Sequence, residues 1–374
     1  SWSVYVQPLK ALTGLSQGPV QLPFSLFYFA FPARIIFTGS LLPLMGPRRC
    51  ALTGGLLFGC GWLLAGLGGI HFGFTIIGIG VLAGIGVGFA YIVPIATCIR
   101  WFPDNKGLVT GIAVAGFGGG AALVSQIGGW LMNHHGMTPF ETFALFGLGF
   151  LVIVTAAGAT MENPPGHARV RRPRLAAREI VTSAPFILLY LAMFSGLAAG
   201  FTVNANIKEL FPGGSAATGV AAVSLFAVAN ALGRVTWGAL FDRLAAVRML
   251  QVNLLLQAGL LLSAPLILTS ATGLMLFAAL TGFNYGGILV LYASSAARTW
   301  GSENVGQVYG WLFSANIHAA VFLVLAGFGY DRWQNFTLPL GAIALLLLAA
   351  ILGVQHLTKP PGSAARYPRP LQHS

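Results

Sequence analysis

A chain of 374 residues that is 56% hydrophobic and only 7% charged cannot cover a water-facing surface, since soluble domains carry about a quarter charged residues. The mean hydropathy of +0.80 makes lipid the solvent. The net charge of +12 does not indicate nucleic acid, because the basic residues are spread thinly instead of gathered on one soluble domain.

A hydrocarbon core of about 30 Å takes about 20 mostly apolar residues per helix. Ser1–Lys10 (SWSVYVQPLK) is too short to span and reads as the outer end of a first helix whose beginning precedes this sequence. Complete spans follow at 22–42, 50–69, 74–99, 107–132, 140–160, 184–203, 216–240, 249–268, 273–296, 306–328 and 336–356. Counted with the first, they predict twelve helices: an all-α membrane protein of two pseudo-symmetric six-helix bundles. The first bundle is placed at 1–160, a basic linker at 161–183, the second bundle at 184–356 and a tail at 357–374. The runs are too long and too numerous to be a signal peptide. Cys50, Cys60 and Cys98 fall within apolar runs without metal or disulfide spacing and read as small buried hydrophobes.

Basic residues fix the orientation. One set of helix ends holds 15 of the 20: Arg48, Arg49, Arg100, Lys106, five arginines between 169 and 178, Arg243, Arg248, Arg298, Lys359, Arg366 and Arg369. The opposite ends hold Lys10, Lys208 and Arg332. The arginine-rich loop and both termini of the complete protein are therefore expected in the cytoplasm, with the loop against anionic lipid headgroups.

The halves repeat each other. Gly39 and Gly238 stand 199 residues apart, as do Arg49 and Arg248, Trp101 and Trp300, Asp104 and Glu303, Asn105 and Asn304, and Gly107 and Gly306. Arg34 and Arg234 correspond at 200, one residue out of step. Parallel six-helix repeats are a transporter architecture that binds substrate near mid-membrane between the halves. After helix eight, GALFDRLAAVR places Asp242 beside Arg243 and Arg248, where a carboxylate can pair with arginine or cap a helix. The first-half copy keeps Arg48 and Arg49 but has Pro43 in place of the acid. Gating and a plain solvated turn are both open for this group.

An ionisable residue at bilayer depth is a functional hypothesis. Arg234 lies inside helix eight with Asn230 one turn earlier, and all eight acids fall in loops or at helix ends. A guanidinium there favours a planar carboxylate as partner. Arg34, nearer the cytoplasmic end, is read as snorkelling or bonded to a neighbouring helix more readily than as touching substrate. Tyr91, Asn204, Asn206, Asn284, Tyr285, Asn316 and His318 are further polar groups at the same depth, each open to a helix–helix bond or to the cavity. Histidine's ordinary titration range spans neutral pH, which makes His318 a candidate proton carrier. The glycine runs GIGVG and GFGGG follow no strand, and no phosphate-binding GxxxxGK[ST] is present, so an ATP-driven pump is not indicated.

Four stretches, SWSVYVQPLK, GPRR, RWFPDNKG and GALFDR, resemble the major facilitator superfamily, in its monocarboxylate transporter and oxalate/formate antiporter branch. The resemblance implies that superfamily's twelve-helix fold and an organic anion held by the helix-eight arginine, here Arg234. Oxalate carriers add a lysine in helix eleven where this chain has Asn316, and one cation suits a monocarboxylate better than a dicarboxylate. Animal proton–lactate carriers have an Asp where this chain has Asn230, which leaves Arg234 free for the anion and removes that family's proton site.

The expected activity is therefore secondary active transport of a small monocarboxylate, of lactate or pyruvate type, by alternating access in the plasma (inner) membrane. Arg234 is the anchor, Asn230, Tyr91, Tyr285 and Asn316 shape the site, and His318 is the proton candidate. Proton symport is favoured over organic-anion exchange, and a non-transporting carboxylate sensor ranks last. The expected partners are the anion, H⁺ and membrane lipid. No cofactor, metal or enzymatic activity is expected.

Overall fold

The computed structural model describes residues 2–165, 176–207, 209–211, 215–322, 332 and 336–357. Its helices are α1 (Ser3–Thr13), α2 (Gln17–Met45), α3 (Pro47–Gly66), α4 (Gly73–Trp101), α5 (Lys106–His135) and α6 (Pro139–Ala159). They continue as α7 (Ala184–Asn206), α8 (Ala216–Arg243), α9 (Ala246–Ile267), α10 (Ala271–Trp300), α11 (Val305–Phe313) and α12 (Thr337–Val354). Among the described residues, ten helices are long and apolar enough to cross a membrane. They answer to ten of the eleven predicted spans. The other, 306–328, is helical to residue 322 apart from a break at Ser314, and its remainder lies outside the described residues. So do Arg169, Arg171, Arg172 and Arg174 of the linker and the basic residues of the tail. Large apolar side chains such as Leu266 (81% exposed), Val152 and Ile153 (68% each) point away from the protein, which is inexpensive only in lipid.

Local chemistry sets the helix boundaries. In GPRR, Gly46 adopts φ +79° and Pro47 takes the first turn of α3, where its missing N–H costs nothing. That single glycine reverses the chain between α2 and α3. Thr138 and Glu141 close a capping box on α6, and Ser270 accepts from the Gly273 N–H at the start of α10.

The chain divides into two compact units. The first comprises Ser1–Pro103, Ile112–Arg171 and Tyr309–Ile317. Its core gathers Trp2, Tyr5 and Leu9 of α1 with Trp62 of α3 and Phe140 and Phe143 of α6. Tyr5 and Leu9, both fully buried and one turn apart, show why SWSVYVQPLK is helical: it lays one apolar stripe on this core. In α4, residues Ile76–Ala83 form a π-helical stretch. A second irregularity falls at Tyr91, three residues before Pro94, whose missing N–H leaves a carbonyl one turn back unbonded.

The second unit comprises Asp104–Gly111, Arg172–Val308 and His318–Ser374. Here α8 packs along α10, and α9 along α12. Gly282 and Gly286 of α10 form a G-x-x-x-G face that admits the α8 backbone. A Cβ at Gly282 would strike the Phe226 carbonyl, and one at Gly286 the Asn230 carbonyl.

Between α9 and α10 lies a buried amide cluster. Asn253 Nδ2 donates to the Asn284 backbone carbonyl (2.9 Å) and to Asn284 Oδ1 (3.0 Å), while Asn284 Nδ2 donates to the Asn253 carbonyl and to Gln257 Oε1 (2.8 Å each). All three residues are at most 2% exposed. Asn284→Ala would orphan amides on two neighbours and is expected to cost about 2–3 kcal/mol, read as a lowered unfolding temperature in detergent. An Asn284→Ala protein melting like the parent would refute that stabilising role.

Candidate functional site

The second unit holds Arg234, Asn230, Tyr285 and His318. Arg234 lies nine residues before the end of α8, half-buried, and its backbone is flanked by two glycines. A Cβ at Gly286 would press on the Arg234 N–H, and one at Gly111 on its carbonyl. Asn230 is one turn earlier and 8% exposed, with Nδ2 pointing at the Gly282 carbonyl at 3.4 Å. Tyr285, half-buried on α10, lays its ring 6.0 Å from Phe226 and 6.2 Å from Phe201, against Gly200. The α8–α10 contact therefore brings Asn230, Arg234 and Tyr285 onto one pair of helices. The fourth member, His318, is exposed, and its Nδ1 lies 2.8 Å from the Tyr190 hydroxyl of α7.

Tyr91 and Asn316 belong to the first unit. Tyr91 sits in an aromatic cluster with Phe31 (5.4 Å between rings), Phe117 (5.2 Å) and Phe313 (5.3 Å). Asn316 Nδ2 donates to the Phe313 carbonyl at 2.8 Å, and the Ser314 hydroxyl donates to the Trp311 carbonyl at 2.7 Å. These bonds occupy backbone acceptors around the break at Ser314, so Asn316 serves the helix geometry directly. The same unit has a half-open pocket of about 460 Å³ lined by Trp2, Tyr5, Trp62, Tyr91, Phe117 and Phe150 among others, with no charged side chain in its wall.

Asp242 turns away from Arg243 and Arg248. Its carboxylate accepts from the backbone N–H groups of Gly107 (2.7 Å) and Leu108 (2.8 Å) in the first turn of α5. Gly107 and Gly238 meet backbone to backbone there, since a Cβ on either would overlap the other's carbonyl. Two of the repeated glycines thus mark one close approach. Arg243, Arg248, Arg48 and Arg49 are exposed. Arg298 does what the nearer arginines do not: its guanidinium donates to the Phe241 and Leu244 carbonyls at the end of α8 and stacks 4.1 Å over the Phe241 ring. By sequence alone Arg298 counts as a topology charge, although its place in the last turn of an apolar helix is a signal. Neither the Tyr190 partner of His318 nor the amide pair Asn253 and Gln257, four residues apart in α9, follows from the sequence pattern.

Residues 1–317 match the profile described as Major Facilitator Superfamily. The oxalate:formate antiporter of Oxalobacter formigenes is 26% identical over 94% of this chain and 87% of its own length. Apicoplast pyruvate carrier 1 of Toxoplasma gondii is 25% identical over 76% of this chain and 64% of its own. Among solved structures, the transporter FucP in its outward conformation superposes with a TM-score of 0.74 at 16% identity, over 95% of this chain and 94% of FucP. The ten apolar helices, the two units and a profile match over most of the length agree: the chain belongs to the Major Facilitator Superfamily and is an integral membrane transporter, not an enzyme.

Proposed function

We propose that this transporter carries a small monocarboxylate of lactate or pyruvate type by alternating access, with Arg234 binding the carboxylate and H⁺ as the coupled ion. The observation that carries the reading is a half-buried arginine deep in α8, in a unit whose described acids all lie at helix ends or in loops. A guanidinium at that depth attracts an anion, and a bidentate carboxylate matches its fork. Relatives named for pyruvate transport and for oxalate:formate exchange support the substrate class.

In this reading Asn230 and Tyr285 border the anchor from the α8–α10 contact. Asp242 is the gating member that holds another helix. Arg243, Arg248, Arg48 and Arg49 face headgroups at the cytoplasmic surface of the plasma membrane, on the side of both termini of the complete protein. His318, bonded to Tyr190, is the proton carrier.

Uptake of labelled lactate and pyruvate into proteoliposomes, with and without an inward proton gradient, tests the proposal. Gradient-stimulated uptake that His318→Gln abolishes is the expected result. Uptake that appears only after preloading with a carboxylate would replace symport by exchange, the reading that the oxalate:formate relative favours. Failure of both carboxylates to enter under either condition would remove them as substrates.

A further inference from the structure

Arg34 in the first unit is a second membrane-depth cation, and the proposed activity makes no use of it. It lies eleven residues before Met45, the end of α2, about 16 Å of helix. Its Cβ and Cγ rest against Gly88, where any side chain would collide with them. The guanidinium carbon lies 3.9 Å over the Phe89 ring centroid, a stacked cation–π geometry. Nε is shut off from solvent and has no acceptor.

Among the described residues, no hydrogen-bond acceptor meets the Arg34 side chain; the Thr38 hydroxyl at 3.1 Å donates to its backbone carbonyl instead. The acids of this unit do not reach it. Glu141 is engaged with Thr138 at the start of α6, and Glu162 follows α6. The titratable neighbour that bears on it electrostatically is the buried Cys50 thiol.

One face of the guanidinium is therefore fixed by an aromatic ring, its edge donors are left over, and no carboxylate of the unit neutralises it. Five N–H donors in a rigid fork, held still in this way, match a planar or tetrahedral oxyanion. We propose that Arg34 is an oxyanion-binding site of the first unit, separate from Arg234, that takes a carboxylate or a phosphate. Two sources share that chemistry: a soluble organic anion and the headgroup of an anionic phospholipid. Exposed Arg48 and Arg49 at the start of α3 would add to the attraction for either.

The test is ligand-dependent thermal stability of the full-length protein in detergent, in an Arg234→Gln background that removes the proposed α8 anchor. The probes are acetate, oxalate, and phosphatidylglycerol in phosphatidylcholine micelles. The parent is expected to gain unfolding temperature with at least one probe, and Arg34→Gln to shift that titration at least tenfold to higher concentration. Arg34→Lys should recover part of the shift. Phe89→Leu, which keeps the charge and removes the stack, should weaken binding several-fold and covers the case in which Arg34→Gln does not fold.

A response confined to acetate or oxalate assigns the site to a soluble anion, and one confined to phosphatidylglycerol assigns it to lipid. A parent that responds to none of the three probes, or an Arg34→Gln protein that titrates like the parent, overturns the proposal. Neither result bears on Arg234, whose role is read from transport.

Discussion

Replacing Arg234 with alanine is expected to reduce carboxylate uptake by at least about thirtyfold, and lysine is expected to restore little of it. Truncating one partner of a buried, hydrogen-bonded charge pair costs about 2–5 kcal/mol, and each 1.4 kcal/mol is about a factor of ten. A lysine keeps the charge but not the fork that engages both oxygens of a carboxylate at once. The unfolding temperature of Arg234→Ala is measured beside its uptake. Loss of uptake with an unchanged or raised unfolding temperature separates a lost anchor from a lost fold. Wild-type-like uptake by Arg234→Ala would end the assignment.

The apolar runs alone mark the ten described spans. The 199-residue offset pairs Gly39 with Gly238 and Gly107 with Gly306, whereas the contact in the structure joins Gly107 to Gly238, one member of each pair. Hydropathy measures how much of a helix is apolar, not which way it is rotated, and that is where the sequence reading falls short. Asn284 has the same local pattern whether it faces a cavity or α9; only the pairing with Asn253 and Gln257, about thirty residues away, decides. Asn316 stands where oxalate carriers have a lysine, and only the structure shows its Nδ2 donating to the Phe313 carbonyl beside the break at Ser314. The first two turns of α5 cluster with the second unit, and Tyr309–Ile317 clusters with the first. No composition shift marks either place. Arg234 was legible because a charge inside an apolar run stands out without any knowledge of its neighbours.

The same rule of hidden rotation applies to Asp242, whose nearest basic residues in sequence are not its partners. Its carboxylate takes two backbone N–H donors at the start of α5, at 2.7 and 2.8 Å, where the helix dipole also favours negative charge. Hydrogen bonds to charged groups contribute about 1.5–3 kcal/mol each, so Asp242→Ala is expected to loosen the first turn of α5 by about 3 kcal/mol. Hydrogen exchange at the Gly107 and Leu108 amides should then accelerate by about a hundredfold. Asp242→Asn, which keeps one oxygen acceptor and loses the charge, should fall between. Arg243→Ala and Arg248→Ala should leave exchange at these amides unchanged, because both side chains are exposed and Asp242 bonds elsewhere. If removing either arginine accelerates exchange as much as removing the acid, the carboxylate is held by the arginines and not by α5. Uptake is expected to slow about tenfold in Asp242→Ala, since a first turn that frays at will no longer stabilises one state of the transporter over the other.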